Sequence, residues 1–329
     1  MTLNFQKQIP VSIIVPVYNV EGIVFEVLES IRIQKYPIKE IIIIDNKSTD
    51  SSLEIVQKFK LKYNKFNIRI IKRDKTYGIT SSYNLGAKLA KSKYFVTIHS
   101  DSKLPTQNEL SKLMFPILKD PDVIASYPIV VHPRDVWLTY NFWQKCLFAT
   151  VVGKESPGLN GKFDCYKKEI FLKIGGYDEK RFSHFIGAED ANMHLRLKRE
   201  GKIVPTEARV LHLHGNNLDY SLKNWIDRRK FLAISYGRYL KIHARDIGTD
   251  IIFFLIKPAL VFLIFLSFFN IIFIFPIILF PFFYMKRMFL EPSTLKDPRI
   301  VTLPFIIIFL IFYETYWMLK SVFFFRIKV

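Results

Sequence analysis

SIIVPVYN (Ser12–Asn19) and EIIIIDNKSTD (Glu40–Asp50) decide the fold of this chain. Ser12 to Val17 and Glu40 to Ile44 are short, β-branched and continuously apolar. Neither alternates between apolar and polar residues, the pattern of parallel strands buried on both faces. Between them, Val24, Val27, Leu28 and Ile31 recur at helical spacing, and Tyr36-Pro37 ends the helix. A residue before proline is pushed out of the α region, so the stop is local. The stretch is a βαβ unit.

The pattern repeats downstream. Asn67 to Ile71 reads as a strand, Ser81 to Ala90 as a helix and Tyr94 to Ile98 as another strand. Alternation of this kind predicts an α/β fold with a doubly wound, mostly parallel, Rossmann-like sheet. Ligands of such sheets bind at the carboxyl ends of the strands. Tyr18-Asn19, Asp45-Asn46 and His99-Ser100-Asp101 each follow a strand and are the candidates there.

Composition divides the 329 residues into a mixed stretch, 1–247, and an apolar one, 248–329, where many of the 31 Phe lie. Ile251 to Met285 contains a single charge, Lys257, and is interrupted by Asn270 and Pro276. Two short transmembrane spans forming a hairpin are expected there, with one long tilted span as the alternative. Lys286 to Arg299 is a charged loop, and Ile300 to Phe325 is a further span carrying Glu314 and Lys320. The expectation is a membrane anchor of two or three helices, with the basic loop beginning Lys286-Arg287 on the cytoplasmic side. Met1 to Pro10 is polar and lacks the apolar core of a signal peptide, so the first domain is expected in the cytoplasm, at a multi-pass attachment to the cell membrane.

Lys and Arg number 48 against 29 Asp and Glu, a formal charge of +19. That balance suits membrane lipid or phosphorylated ligands. The basic residues are scattered, with no compact arm and no zinc-finger spacing, so nucleic acid is not the expected partner. Cys146 and Cys165 have no CxxC spacing, which excludes a disulfide framework or a cysteine zinc site.

Five blocks occur in order: SIIVPVYN, EIIIIDNKSTD, YFVTIHSDSKLP (Tyr94–Pro105), IGGYDEKRF (Ile174–Phe182) and GAEDANMHLRLKREG (Gly187–Gly201). Together they resemble family 2 glycosyltransferases of the GT-A fold, over roughly Pro10 to Leu240. The resemblance implies an inverting hexosyltransferase that uses a nucleotide-sugar donor and Mg²⁺ or Mn²⁺. The membrane tail points to a lipid-linked or membrane-bound acceptor, such as a polyprenyl-linked saccharide, in glycan or cell-surface polysaccharide biosynthesis. A polyprenyl-phosphate sugar synthase is one alternative, and a non-catalytic nucleotide-binding membrane protein is another.

The resemblance also implies roles for residues. Asp101 matches the second acid of an Asp-x-Asp motif that approaches the metal on the donor diphosphate, which needs its leaving charge neutralised. His99 stands in place of the first acid, able to contact the ribose or to ligate a metal such as manganese. Pro16, Val17, Tyr18 and Asn19 line the nucleotide with Asp45, Asn46, Asn84 and Ser100, and Asn46 takes the position that reads the pyrimidine edge. Ser48-Thr49-Asp50 reads as a helix cap. Asp190 matches the catalytic base, with Glu189 as its helper in acceptor binding; the base must reach the acceptor hydroxyl on the face opposite the departing phosphate. His212 and His214 share a strand face, and one of the two completes the metal shell or touches the diphosphate. Trp225, Arg228 and Arg229 loosely match a region that holds the leaving diphosphate or the acceptor; a solvated basic face before the membrane tail is the other reading.

Overall fold

The computed structural model describes residues 9–182, 187–214 and 219–325. The chain forms two compact units, each discontinuous in sequence. The first comprises Met1–Pro133, Gly153–Ser183 and Asp190–Gly215. The second comprises Arg134–Val152, His184–Glu189 and Asn216–Val329.

The first unit is built on one sheet of nine strands among the described residues. In chain order they are β1 (Val11–Val17), β2 (Ile38–Asp45), β3 (Ile68–Lys72), β4 (Tyr94–Ile98), β5 (Ser102–Lys103), β6 (Val123–Val131), β7 (Glu155–Pro157), β8 (Phe163–Lys167) and β9 (Lys202–His212). Across the sheet the order is β3-β2-β1-β4-β8-β6-β9-β5, with β7 paired to β6. The run β3-β2-β1-β4 is parallel throughout, as the βαβ reading requires. Beyond it the sheet is mixed: β8 is antiparallel to β4 and β6, while β6 and β9 are parallel.

Every residue of β1 is buried. Ile13 and Val15 join one core with Val27, Leu28 and Ile31 of the Val24–Arg32 helix; Ile14 joins a second core with Ile42, Ile44 and Phe95. Successive strand residues face opposite sides, so a strand between two helical layers is apolar at every position. On the second side the Ile79–Leu89 helix lies so close that a Cβ at Gly86 would meet Ile14 Cγ2 at 2.4 Å. Packing is the role of that glycine.

β5 has only two residues but sets the site. It runs antiparallel to β9 with Ser102 opposite His212, and the Leu213 amide donates to the Asp101 carbonyl at 2.9 Å. The end of β9 is thereby held against the residue that follows β4.

The second unit is helical and includes Leu222–His243, Ile251–Ser267, Phe275–Tyr284 and Leu303–Phe324. The break between the apolar helices falls at Asn270, whose side chain accepts from the Ile272 amide. One long tilted span is therefore not what forms. The expected hairpin of two short spans meets a length limit of its own. Ile251–Ser267 has 17 residues, and Ile271–Tyr284 is shorter still. At about 1.5 Å per residue the first reaches about 25 Å, short of a hydrocarbon core of about 30 Å. Among the described residues, Pro298–Phe324 is the one stretch long and apolar enough to cross a membrane. Large apolar side chains nevertheless face outward from this unit, among them Phe253 (74% exposed), Phe268 (84%) and Phe305 (71%).

Candidate active site

The carboxyl ends of β1, β2 and β4 open onto a cavity of about 280 Å³. Pro16, Val17, Tyr18, Asn46, His99, Ser100 and Asp101 all line it, so seven of the residues read from the sequence meet in one place. Val20, Thr76, Gly78 and Ile79 complete the wall. Tyr18 is half exposed at its edge, where an aromatic face is available for stacking.

Asn19, Asp45 and Asn84 lie outside the lining of this cavity. Asn19 holds a left-handed backbone (φ 49°), which Asn tolerates better than most residues. Its Oδ1 accepts from the Thr49 amide at 2.8 Å. Asp45 accepts from the Ser48 hydroxyl at 2.6 Å and closes the turn after β2. Asp50 accepts from the Ser52 amide at 3.0 Å, but the N-cap of the Ser52–Lys62 helix is Ser51, with no side-chain capping hydrogen bond, so the cap lies one residue past the Ser48-Thr49-Asp50 run. Asn84 is fully committed elsewhere: it donates to the Tyr177 carbonyl and Glu179 and accepts from the Tyr177 amide. It fixes the Gly176-Tyr177 turn.

Asn46 is oriented by its neighbour. The Ser82 hydroxyl gives its proton to the Gly78 carbonyl at 3.1 Å, so toward Asn46 Nδ2, 2.8 Å away, it acts as acceptor. That assigns the amide and leaves Asn46 Oδ1, which has no hydrogen-bond partner among the described residues, as the acceptor at the cavity wall.

Asp101 is surrounded by imidazoles. His212 Nε2 lies 3.3 Å from Oδ1, His214 Nδ1 lies 3.3 Å from Oδ2, and His99 Nδ1 lies 3.8 Å from Oδ1. β9 ends at His212, and His214 follows with φ 45°, and both rings reach Asp101. Sequence reading missed His132, just beyond β6. Its ring centroid lies 5.0 Å from that of His212. The only sequence signal for it is a polar residue after a strand, and β6 is not one of the strands that the βαβ pattern exposes.

Donor atoms of His132, His212 and His214 lie within 4.8 Å of one another, as do those of His99, Asp101 and His212. Burial, followed by the charge of Lys162, lowers the His99 pKa to about 3; burial, followed by His214, lowers that of His132 to about 4. These rings are neutral near pH 7 and keep a lone pair to give. Burial raises the Asp101 carboxyl, but His212 and His214 outweigh it and hold the pKa well below the usual carboxylate range. His212 Nδ1 is buried without a hydrogen-bond partner among the described residues. A carboxylate with several neutral imidazoles fits a divalent first-row metal, and nitrogen donors suit Mn²⁺ better than Mg²⁺.

A second layer props up this cluster. Asp164 accepts from the Asn160 amide at 2.7 Å and from the Gly161 amide. Gly161 needs its positive φ of 73°, and a Cβ there would stand 2.9 Å from Tyr83 and 3.5 Å from His99. The His99 amide donates to the Lys162 carbonyl at 3.4 Å, and Tyr83 stacks on the His99 ring at 6.2 Å. Burial raises the Asp164 pKa to about 7 against those hydrogen bonds.

Asp190 opens the Glu189–Lys198 helix, where the helix dipole favours a carboxylate. After burial and Tyr177, its charge is the next influence raising the Tyr83 hydroxyl. Glu189 is buried and accepts from the Gly187 amide at 2.6 Å. Trp225 is buried in the core of the helical unit, stacked on Trp143 at 6.1 Å. Arg229 is bound to Glu314 and Tyr284, and Arg228 is half-buried on the same helix.

The cavity and the Asp-His cluster beside it lie at the carboxyl ends of the strands of a mixed α/β sheet, where such sheets bind their ligands. Residues 12–173 match the model of Glycosyl transferase family 2, and the chain carries a domain of that family, GT-A in fold. A poly(ribitol-phosphate) β-glucosyltransferase of Bacillus spizizenii is 38% identical over 100 residues, which cover 30% of this chain and 16% of that one. The matched stretch thus spans less than a fifth of that relative's length. A dolichyl N-acetyl-α-D-glucosaminyl phosphate 3-β-D-2,3-diacetamido-2,3-dideoxy-β-D-glucuronosyltransferase of Methanococcus voltae is 27% identical over 244 residues, covering 69% of this chain and 71% of that one. Among solved structures, a mannosyltransferase from Pyrobaculum calidifontis in complex with GDP-Man and Mn²⁺ aligns with a TM-score of 0.58 at 16% identity, over 98% of this chain and 89% of that one. At that identity the likeness is one of fold.

Proposed function

We propose that this chain is an inverting glycosyltransferase that moves a sugar from a nucleoside-diphosphate donor to a lipid-linked acceptor. The observation that carries the reading is Asp101, held between His212 and His214 at 3.3 Å from each, on the wall of the 280 Å³ cavity. Asp101, His212 and His214 hold a divalent ion, Mn²⁺ rather than Mg²⁺, joined by His99 or His132. When bound, the ion supplies charge neutralisation for the departing diphosphate. Asn46 Oδ1 accepts a ring N–H, which admits uracil, thymine or guanine and disfavours cytosine, whose ring nitrogen is itself an acceptor. Asp190 takes the proton of the acceptor hydroxyl, with Glu189 as its helper in the acceptor site.

Residues 1–247 carry the catalytic domain and 248–329 the membrane anchor, with Arg134–Val152 and the chain from Asn216 onward grouped in the helical unit. Pro298–Phe324 crosses the bilayer, and the outward Phe side chains of the shorter helices lie in lipid. The basic Lys286-Arg287 pair favours a cytoplasmic active site. The Methanococcus relative, named for a dolichyl-linked substrate, supports a lipid-linked acceptor. Membranes containing the protein are incubated with labelled UDP-, GDP- and dTDP-sugars, and label is sought in the organic phase. Transfer only to free soluble sugars overturns the acceptor; no donor turnover with any of them overturns the enzyme.

A further inference from the structure

Three helices of the second unit bring charges together inside an apolar packing. Lys257 is the only charged residue from Ile251 to Met285, and Glu314 lies midway along the Leu303–Phe324 helix. Arg229, on the Leu222–His243 helix, donates from Nε to Glu314 Oε1 at 2.7 Å and from Nη2 to Oε2 at 3.0 Å. Lys257 Nζ donates to the same Oε2. The side chains are 17%, 24% and 9% exposed for Arg229, Lys257 and Glu314. Two cations thus share one carboxylate, which leaves a net positive charge in a low-dielectric setting, where an unbalanced ion is costly.

A cavity of about 360 Å³ adjoins this cluster. Thr315 lines it, is 6% exposed, and its Oγ1 has no hydrogen-bond partner among the described residues. The Tyr284 hydroxyl accepts from Arg229 Nη2 at 2.9 Å and keeps its own proton to donate. Phe253 and Phe254 form apolar wall. Excess positive charge, uncommitted hydroxyl donors and apolar walls together match one kind of ligand: an anionic head on a hydrocarbon chain. A pure helix-locking triad would require no cavity, no orphan hydroxyl and no second cation.

We propose that this cavity binds the phosphate head group of a lipid. Lys257 and the Thr315 and Tyr284 hydroxyls face the phosphate oxygens, Arg229 and Glu314 hold the cluster in place, and the chain runs along Phe253 and Phe254. The site is separate from the donor cavity and its occupancy is read with no sugar donor present, so failure here leaves the transfer reading standing.

The full chain in nanodiscs of neutral phosphatidylcholine is titrated with a polyprenyl phosphate, the matching prenol and inorganic phosphate, with binding followed by native mass spectrometry. The expected result is binding of the lipid phosphate at least about tenfold tighter than of either the prenol or inorganic phosphate, since a charged hydrogen-bonding head adds affinity only with its chain anchored. Lys257→Met should weaken it about tenfold, with recovery in Lys257→Arg. Thr315→Val should weaken it about threefold without lowering Tm, because the hydroxyl has no protein partner to lose. Equal affinity for prenol and lipid phosphate, binding of inorganic phosphate as tight as the lipid, or unchanged binding in both Lys257→Met and Thr315→Val would each overturn the proposal.

Discussion

Ser102 of β5 lies directly opposite His212 of β9, and this single antiparallel pairing delivers an imidazole to Asp101 from the far side of the sheet. The pair is distant in sequence and joined by backbone hydrogen bonds. The geometry around Asp101 is therefore set by sheet registration, not by a flexible loop.

Replacing Asp101 by Ala should remove metal-dependent donor hydrolysis, by roughly a thousandfold, while circular dichroism stays unchanged. His132→Ala should weaken Mn²⁺ binding roughly tenfold to a hundredfold. Titration of Mn²⁺ followed by electron paramagnetic resonance reads both variants without turnover. Unaltered Mn²⁺ affinity in His132→Ala would remove that residue from the metal shell.

The Asn46 amide should set base preference. Asn46→Leu is expected to weaken UDP binding about tenfold, the worth of one good hydrogen bond. Ser82→Ala frees the amide to flip and should narrow the gap between UDP and CDP. Competition binding measures both; a Ser82→Ala protein with wild-type discrimination would show that the serine does not fix the amide.

Asp190→Asn should leave donor binding intact and slow transfer to a hydroxyl acceptor by roughly 10²- to 10⁴-fold. If a lipid phosphate is itself the nucleophile, no strong base is needed and the rate stays near wild type. Single-turnover transfer with labelled donor separates these outcomes.

Asp164 should make itself felt through pH. Its folded pKa is raised to about 7 from an ordinary 3.8, with burial as the cause. The folded state then binds a proton that the unfolded state has released, so stability falls as pH rises between those values. Asp164→Asn removes that dependence while keeping an oxygen for the Asn160 and Gly161 amides. Its stability relative to wild type should improve from pH 4 to pH 7, by roughly 1 kcal/mol per unit at the steepest, and level off above about 7. Chemical denaturation across this range checks it; a constant difference would mean that Asp164 ionises normally.

The parallel half of the sheet was readable because each βαβ strand is apolar on both faces, so Val11–Val17 and Tyr94–Ile98 announce themselves. Asp101, Asn46 and Tyr18 followed from one rule, that ligands gather at strand ends. His132 and Asp164 were not readable, since their importance arises from the antiparallel half, whose pairings leave no local periodicity. Asn84 was placed near the donor by the family resemblance alone, and the partner its side chain bonds, Tyr177, lies far along the chain. Arg229 was read as a diphosphate or acceptor contact, or as part of a solvated basic face, because Glu314 enters only through tertiary packing.

The β5–β9 pairing also has a meaning for biosynthesis. A nascent chain that has reached Asp101 already contains the residues that line the cavity, but His212 and His214 have not yet been synthesised. The ribosome must add about 110 more residues after Asp101 before β9 can dock. Until then Asp101 lacks the two imidazoles that flank it in the finished fold.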